Sequence, residues 1–434
     1  MNSTLESARS ASPPLASGTS VTDVNLTERA YDRLRRSVLL FSSANFTLLF
    51  AVWLMFGVLS IPIQKELGLS DMQVGWLTAL PILNGAIWRL NFGILADRLG
   101  GRRVFTALML FTAVPVFLVT FAHSFTQLLV AAFFIGFAGN AFSVGVSWNS
   151  AWFPKERQGG ALGLFGAGNV GASITKIGAP LLLAALPAAG LLGLVGWRVI
   201  PPIYAVLLLM GALWMWFRTP STDHKPGQGR PMSELLLPLR RVQVWRFSLY
   251  YVVVFGAYVA LSNWLPKFFV STYGVSLSEA GLITALFIFP ASLLRPVGGV
   301  LSDRMGARGL MYGTFFVMIL ASAPMAAFPL PLWVFAALLF VVGVAMGIGK
   351  AAVFRFIPTY YPREVGSVGG LVGALGALGG FALTPAFAYI GALTHAKHTA
   401  LALLCLLSLV SLVWFHLSVL GMKRRANQLL TVPN

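Results

Sequence analysis

Apolar stretches of about 20 residues follow one another along nearly the whole chain, a length that matches the hydrocarbon core of a bilayer. So many of them cannot be hidden inside a soluble domain. Of 434 residues, 57% are hydrophobic and only 10% charged, whereas soluble domains carry about 25% charged residues. Mean hydropathy is +0.80. The net charge of +18 does not mark a nucleic-acid partner, because the bases sit in short segments between apolar runs, such as Arg98 to Arg103 and Lys423 to Arg425. Basic loops of that kind obey the positive-inside rule. The partner to expect is the lipid bilayer.

Turn and charge punctuation divides the apolar sequence into twelve spans, near 37–63, 73–96, 103–122, 126–149, 160–189, 199–217, 246–272, 279–302, 308–328, 331–356, 366–390 and 399–421. Residues 1–36, rich in Ser, Thr and Pro, lack the apolar core of a signal peptide and read as a disordered cytoplasmic tail. Placing both termini inside assigns nearly every basic loop to the cytoplasm of a bacterial-type inner membrane. The polar stretch 218–245 falls midway and reads as a cytoplasmic linker. It separates two six-helix bundles, 37–217 and 246–422, with a short tail over 423–434.

An internal repeat supports that division. Arg89, Gly93, Asp97, Arg98, Gly100 and Arg102 recur 206 positions later as Arg295, Gly299, Asp303, Arg304, Gly306 and Arg308. Paired homologous halves are a transporter architecture, with the substrate bound near the midplane between them. The stretch G-x-x-x-D-R-x-G-x-R resembles the loop motif of the major facilitator superfamily. That resemblance implies an all-α fold, with Asp97, Arg98, Asp303 and Arg304 in charge networks that stabilise one gating state.

Intramembrane charge is the most informative feature. All 13 acidic residues fall in tails, loops or helix ends. Arg89, Lys176, Arg295 and Lys350 lie within spans, and Arg355 lies nearer an end. A charge at the bilayer centre costs several kcal/mol and normally has a partner. With no carboxylate to serve, a bound anion would supply the missing charge. Arg89 and Arg295 hold equivalent positions, and a guanidinium fork suits a planar oxyanion better than an ammonium does. Snorkelling is the plainer alternative, since Arg89 stands about 12 Å from Asp97 along a helix.

Glycines at 159, 160, 163, 166, 168 and 171, and again at 366, 369, 370, 373, 376, 379 and 380, form two stripes. Small residues allow close helix packing, and at Gly168 and Gly376 they would also open the backbone to a small ligand. The segments Gly139-Asn-Ala-Phe-Ser-Val-Gly145 through Trp152-Phe-Pro154 to Gly168-Asn-Val-Gly171, and Gly347-Ile-Gly-Lys350 through Tyr361-Pro362 to Gly379-Gly380, resemble the two signature motifs of the NarK-type nitrate/nitrite porters. The resemblance spans about residues 37–421. It implies that Arg89 and Arg295 grip nitrate or nitrite, with Asn169, Phe142, Tyr251 and Phe255 completing the pocket.

The run around Lys350 looks more like the branch associated with proton-linked nitrate uptake. Lys176 and Lys350 are accordingly expected to carry protons alongside the anion, giving symport, with nitrate/nitrite antiport as the alternative. A monomer without cofactor is expected. An organic-cation carrier would call for a buried carboxylate, and a nutrient sensor of the same fold for an added signalling domain. His395 and His398 lack nearby carboxylates or cysteines and are not expected to hold a metal, and no phosphate-binding glycine loop marks an ATPase or other enzyme.

Overall fold

A computed structural model describes residues 21–185, 193–226, 231–361 and 365–430. The described chain is all-α. The helices in order are α1 (Val21–Trp53, continued by Phe56–Leu67), α2 (Asp71–Ile87 and Arg89–Leu99), α3 (Gly101–Leu118), α4 (Phe125–Ile135 and Ala141–Trp152), α5 (Lys155–Gly166 and Gly171–Ala185) and α6 (Ile200–Arg218). After the linker come α7 (Val242–Tyr251 and Ala257–Tyr273), α8 (Leu277–Leu293 and Arg295–Met305), α9 (Ala307–Ala327), α10 (Leu332–Tyr360), α11 (Val365–Leu393) and α12 (Leu401–Leu430). Among the described residues, nine helices are long and apolar enough to cross a membrane, or eleven when the bent pairs α2 and α8 each count as one span. The remaining rod is α5, whose glycines, Asn169 and Lys176 dilute its hydropathy. Such a helix faces protein rather than lipid.

The duplication extends into local structure. Both α2 and α8 begin with a capping box, Ser70 with Gln73 and Ser276 with Glu279. In each box the serine accepts from the third backbone N–H while that residue's side chain returns to the cap. Both helices then run 17 residues, bend by 44° and restart at an arginine. Proline contributes to the weakening: Pro81 and Pro290 lie inside the first segments, and Pro296 stands in the first turn of the second segment of α8, where its missing N–H costs nothing.

Other helices break as well. A 3-10 turn covers Gly136–Asn140 in α4, another covers Ala167–Val170 in α5, and a π turn covers Val252–Gly256 in α7. Irregular backbone in a membrane protein is tolerated where it is buried in protein or lines a cavity. The halves meet along three seams, α2 with α11, α5 with α8, and the second part of α1 with α7. Glycine makes close approaches possible within and between the halves: a Cβ at Gly171 of α5 would lie 1.9 Å from the Thr47 carbonyl oxygen of α1 in the same half, and one at Gly281 of α8 would lie 2.0 Å from that of Lys176 across the seam with α5.

The expected tail over 1–36 is helical from Val21, and residues 1–20 lie outside the described region. Its last turns are anchored. Tyr31 stacks on Trp152, and Arg35 donates to the Trp152 carbonyl and pairs with Asp32 at 2.8 Å. The stretch 218–245 includes a short helix, Met232–Leu236, and the segment 423–430 prolongs α12.

Candidate functional site

Arg89 and Arg295 are the first residues after the two bends, and both are buried, at 1% and 6% exposure. Neither snorkels to the surface. Their guanidinium carbons lie 5.4 and 5.2 Å from the centre of the Phe142 ring, so one aromatic ring contacts both cations. Phe255 lies 5.5 Å from Arg89, and Phe354 lies 5.4 Å from Arg295. Cation–π contacts partly offset the repulsion and the lost hydration. Tyr251 stacks on Phe255 at 4.9 Å and lies within electrostatic reach of both guanidiniums.

Arg89 donates from Nη1 to the Gly373 carbonyl of α11 (3.0 Å) and from Nη2 to the Gly139 carbonyl on the 3-10 turn of α4 (3.2 Å). Its Nε has no partner, nor does Nη1 of Arg295, nor either amide atom of the buried Asn169. Asn169 sits on the 3-10 turn of α5, where its backbone carbonyl accepts from Tyr258 Oη at 3.2 Å. Unpartnered polar atoms at such depth are costly, and charged ones most of all.

Among the described residues the buried charged side chains are Arg89, Lys176, Arg295 and Lys350, with no buried carboxylate. Arg355, the fifth base of the sequence reading, is half-exposed and pairs with Asp303 at 2.9 Å, so it belongs to the surface. In the first half, Asp97 accepts from Ser147 on α4. Gly100 and Gly306, with φ of +93° and +80°, form the same turn after each copy of the motif. Arg98 and Arg304 follow these acids on the linker side, Arg304 exposed.

A Cβ at Gly168 would meet Phe46 and Thr47, and one at Gly376 would lie 2.4 Å from the Tyr251 ring. Both glycines thus make room for neighbouring side chains, Gly376 for the Tyr251 ring of the aromatic cluster. The glycines that face a guanidinium are Gly166, whose Cβ would stand 2.9 Å from Nη1 of Arg295, and Gly373, whose Cβ would stand 3.6 Å from Nη1 of Arg89. Sequence reasoning also missed Phe354 and Tyr258. Tyr258 had a signal, since it follows Phe255 and Tyr251 at three and seven residues on one helix face.

The lysines occupy different settings. Lys350 donates to the Ala291 carbonyl (2.9 Å), stands 3.3 Å above the Tyr258 ring and lies within electrostatic reach of Arg295. Lys176 donates to the Leu54 carbonyl at the break in α1 (2.6 Å), beside Gly57 and Asn263. Only Lys350 adjoins the arginine pair.

The description "Major Facilitator Superfamily" matches residues 41–384 and 267–427. The chain is 57% identical over 418 residues to the "Probable nitrate/nitrite antiporter NarK1" of Thermus thermophilus, covering 92% of this chain and 94% of that protein. The chain belongs to the NarK-type porters of the major facilitator superfamily. This porter is also 32% identical over 372 residues to the "Nitrite extrusion protein" of Bacillus subtilis, covering 85% and 91% of the two chains. The "Probable nitrate transporter NarT" of Staphylococcus carnosus is 31% identical over 374 residues, with 85% and 92% covered. In fold, the porter resembles an inward-facing, occupied bacterial homolog of the human lysosomal transporter Spinster. That likeness has a TM-score of 0.68 at 17% identity and covers 89% of this chain and 97% of the other.

Proposed function

We propose that this porter moves nitrate, nitrite or both across a bacterial inner membrane by alternating access, as a monomer with both termini cytoplasmic. The observation that carries the reading is the pair of buried guanidiniums meeting over Phe142, with donors to spare and no buried carboxylate among the described residues. A small planar oxyanion fits: two forks can take its oxygens in one plane, and aromatic walls favour a weakly hydrated ion. The names of the relatives support nitrate and nitrite over other oxyanions. Anion binding relieves the repulsion between Arg89 and Arg295, which gives the closed state the differential stabilisation that a conformational change needs.

For coupling, the reading is nitrate/proton symport, with Lys350 rather than Lys176 exchanging the proton, since only Lys350 borders the arginines. The antiport reading is favoured by one observation, the name of the 57% identical relative. Proteoliposomes decide between them. Nitrate uptake driven by an inward proton gradient alone, and abolished in Lys350→Gln, supports symport. Uptake that needs internal nitrite and ignores the gradient means antiport. Uptake of neither ion ends the whole proposal.

A further inference from the structure

On the linker side of the first half, a carboxylate of the chain itself gathers donors from three residues. Asp223 accepts from the indole N–H groups of Trp148 and Trp152 and from the backbone N–H of Arg102, each at 2.9 Å. The Arg102 guanidinium holds the end of α6 through the carbonyls of Trp216 and Pro220. The 206-residue repeat places Arg308 opposite Arg102 and Met422 opposite Trp216, and Arg308 indeed reaches Met422 Sδ (3.9 Å) as well as the Tyr360 hydroxyl (3.1 Å).

What differs is the anion. In the second half the corresponding place is a cavity of about 500 Å³ between α7, α9, α10 and α12. Arg241, Arg246 and Arg308 line it, and none of its described lining residues is acidic. Nε of Arg246 is buried and unpartnered. Phe247 and Phe356, stacked at 5.6 Å, form part of an aromatic wall. The cavity reaches Leu417, 59% exposed on the outer surface of α12, so it opens sideways toward lipid.

We propose that this cavity binds a phosphate ester, the headgroup of an acidic phospholipid, whose acyl chains lie along α12. The lipid phosphate supplies in the second half the acceptor oxygens that the Asp223 carboxylate supplies in the first, and it takes the free donor of Arg246 beside Arg308. Guanidiniums grip phosphate oxygens through paired, charge-assisted bonds, and basic pockets on the cytoplasmic side of membrane proteins take up acidic headgroups.

Native mass spectrometry of the purified full-length porter, titrated with phosphatidylglycerol or phosphatidylcholine, tests this. The wild type retains phosphatidylglycerol in preference, and Arg246→Gln with Arg308→Gln weakens that binding by about tenfold, the loss of one or two hydrogen bonds to a charged group. Arg103→Gln, an exposed base in the first half, leaves it unchanged. Inorganic phosphate that displaces the lipid at millimolar concentration supports the same chemistry with free phosphate as a source. Equal retention of both lipids, or equal weakening by Arg103→Gln, overturns the proposal. Nitrate binding measured in parallel reports that each variant is folded, because none of these residues touches the arginine pair.

Discussion

Arg89 divides its donors between two tasks. Nη1 and Nη2 hold the carbonyls of Gly373 and Gly139, and the remaining edge is left for a ligand. A lysine keeps the charge but has one nitrogen for both tasks, and its ammonium binds water more strongly. Arg89→Lys is therefore expected to weaken nitrate binding by about tenfold or more, the worth of a bidentate charged pair. Calorimetric titration of the purified variant checks it, and wild-type affinity would remove Arg89 from the site. Gly166 offers a subtler probe. In Gly166→Ala the new methyl would stand 2.9 Å from Nη1 of Arg295, so the guanidinium must shift by a few tenths of an ångström. The expected result is raised KM for nitrate with an unchanged melting temperature, since a flexible side chain gives way and no backbone is struck. An unchanged KM would mean that the exact seat of Arg295 is irrelevant to binding.

The helices carry the same lesson about closeness. At Gly256, in the π turn of α7, a Cβ would lie 2.6 Å from the Gly376 carbonyl oxygen and 2.9 Å from the Gly380 nitrogen of α11. Here the obstacle is backbone, so Gly256→Ala is expected to destabilise the porter by about 1–3 kcal/mol, read as a lower melting temperature in detergent. No shift would show that α7 and α11 separate easily. These contacts also mark how far the sequence could be read. Helix number, the duplication and the meeting of Arg89 and Arg295 were legible because hydropathy runs, a 206-residue spacing and intramembrane charge are properties of the chain itself, whereas Phe142 came only with the family resemblance. The bends at Trp88 and Leu294 were not, although Ser70 with Gln73 and Ser276 with Glu279 mark both starts, because a broken helix keeps the hydropathy of an intact one. Glycine roles were least legible. Whether Gly166 or Gly168 faces the arginine depends on the rotation of α5 against α8, which a stripe of small residues leaves open.

For the molecule to work, the seams between its halves must part at one end while holding at the other. On the side away from the linker, Lys267 of α7 pairs with Asp71 of α2 at 2.7 Å, one bridge tying the two halves together. Gln64 also donates to Asp71, and Lys397 lies within electrostatic reach of both partners. Asp71 is 58% exposed and Lys267 22%, which places the pair in the class of surface bridges worth about 0–1 kcal/mol. A latch that weak suits the alternating access proposed above, because the end away from the linker must then open in each cycle without a large barrier. Removing it by Asp71→Asn is expected to shift the equilibrium toward the outward-open state by at most about fivefold. Spin labels at His123→Cys and Phe328→Cys, in a Cys405→Ser background, stand on the outer ends of opposite halves and report the change as a larger population of long distances. The charge exchange Asp71→Lys with Lys267→Asp restores the original distribution if the attraction itself is the latch. A shift that persists in the exchanged pair would assign closure to the glycine-lined seams of α2 with α11 and α5 with α8, and leave the ion pair no part in gating.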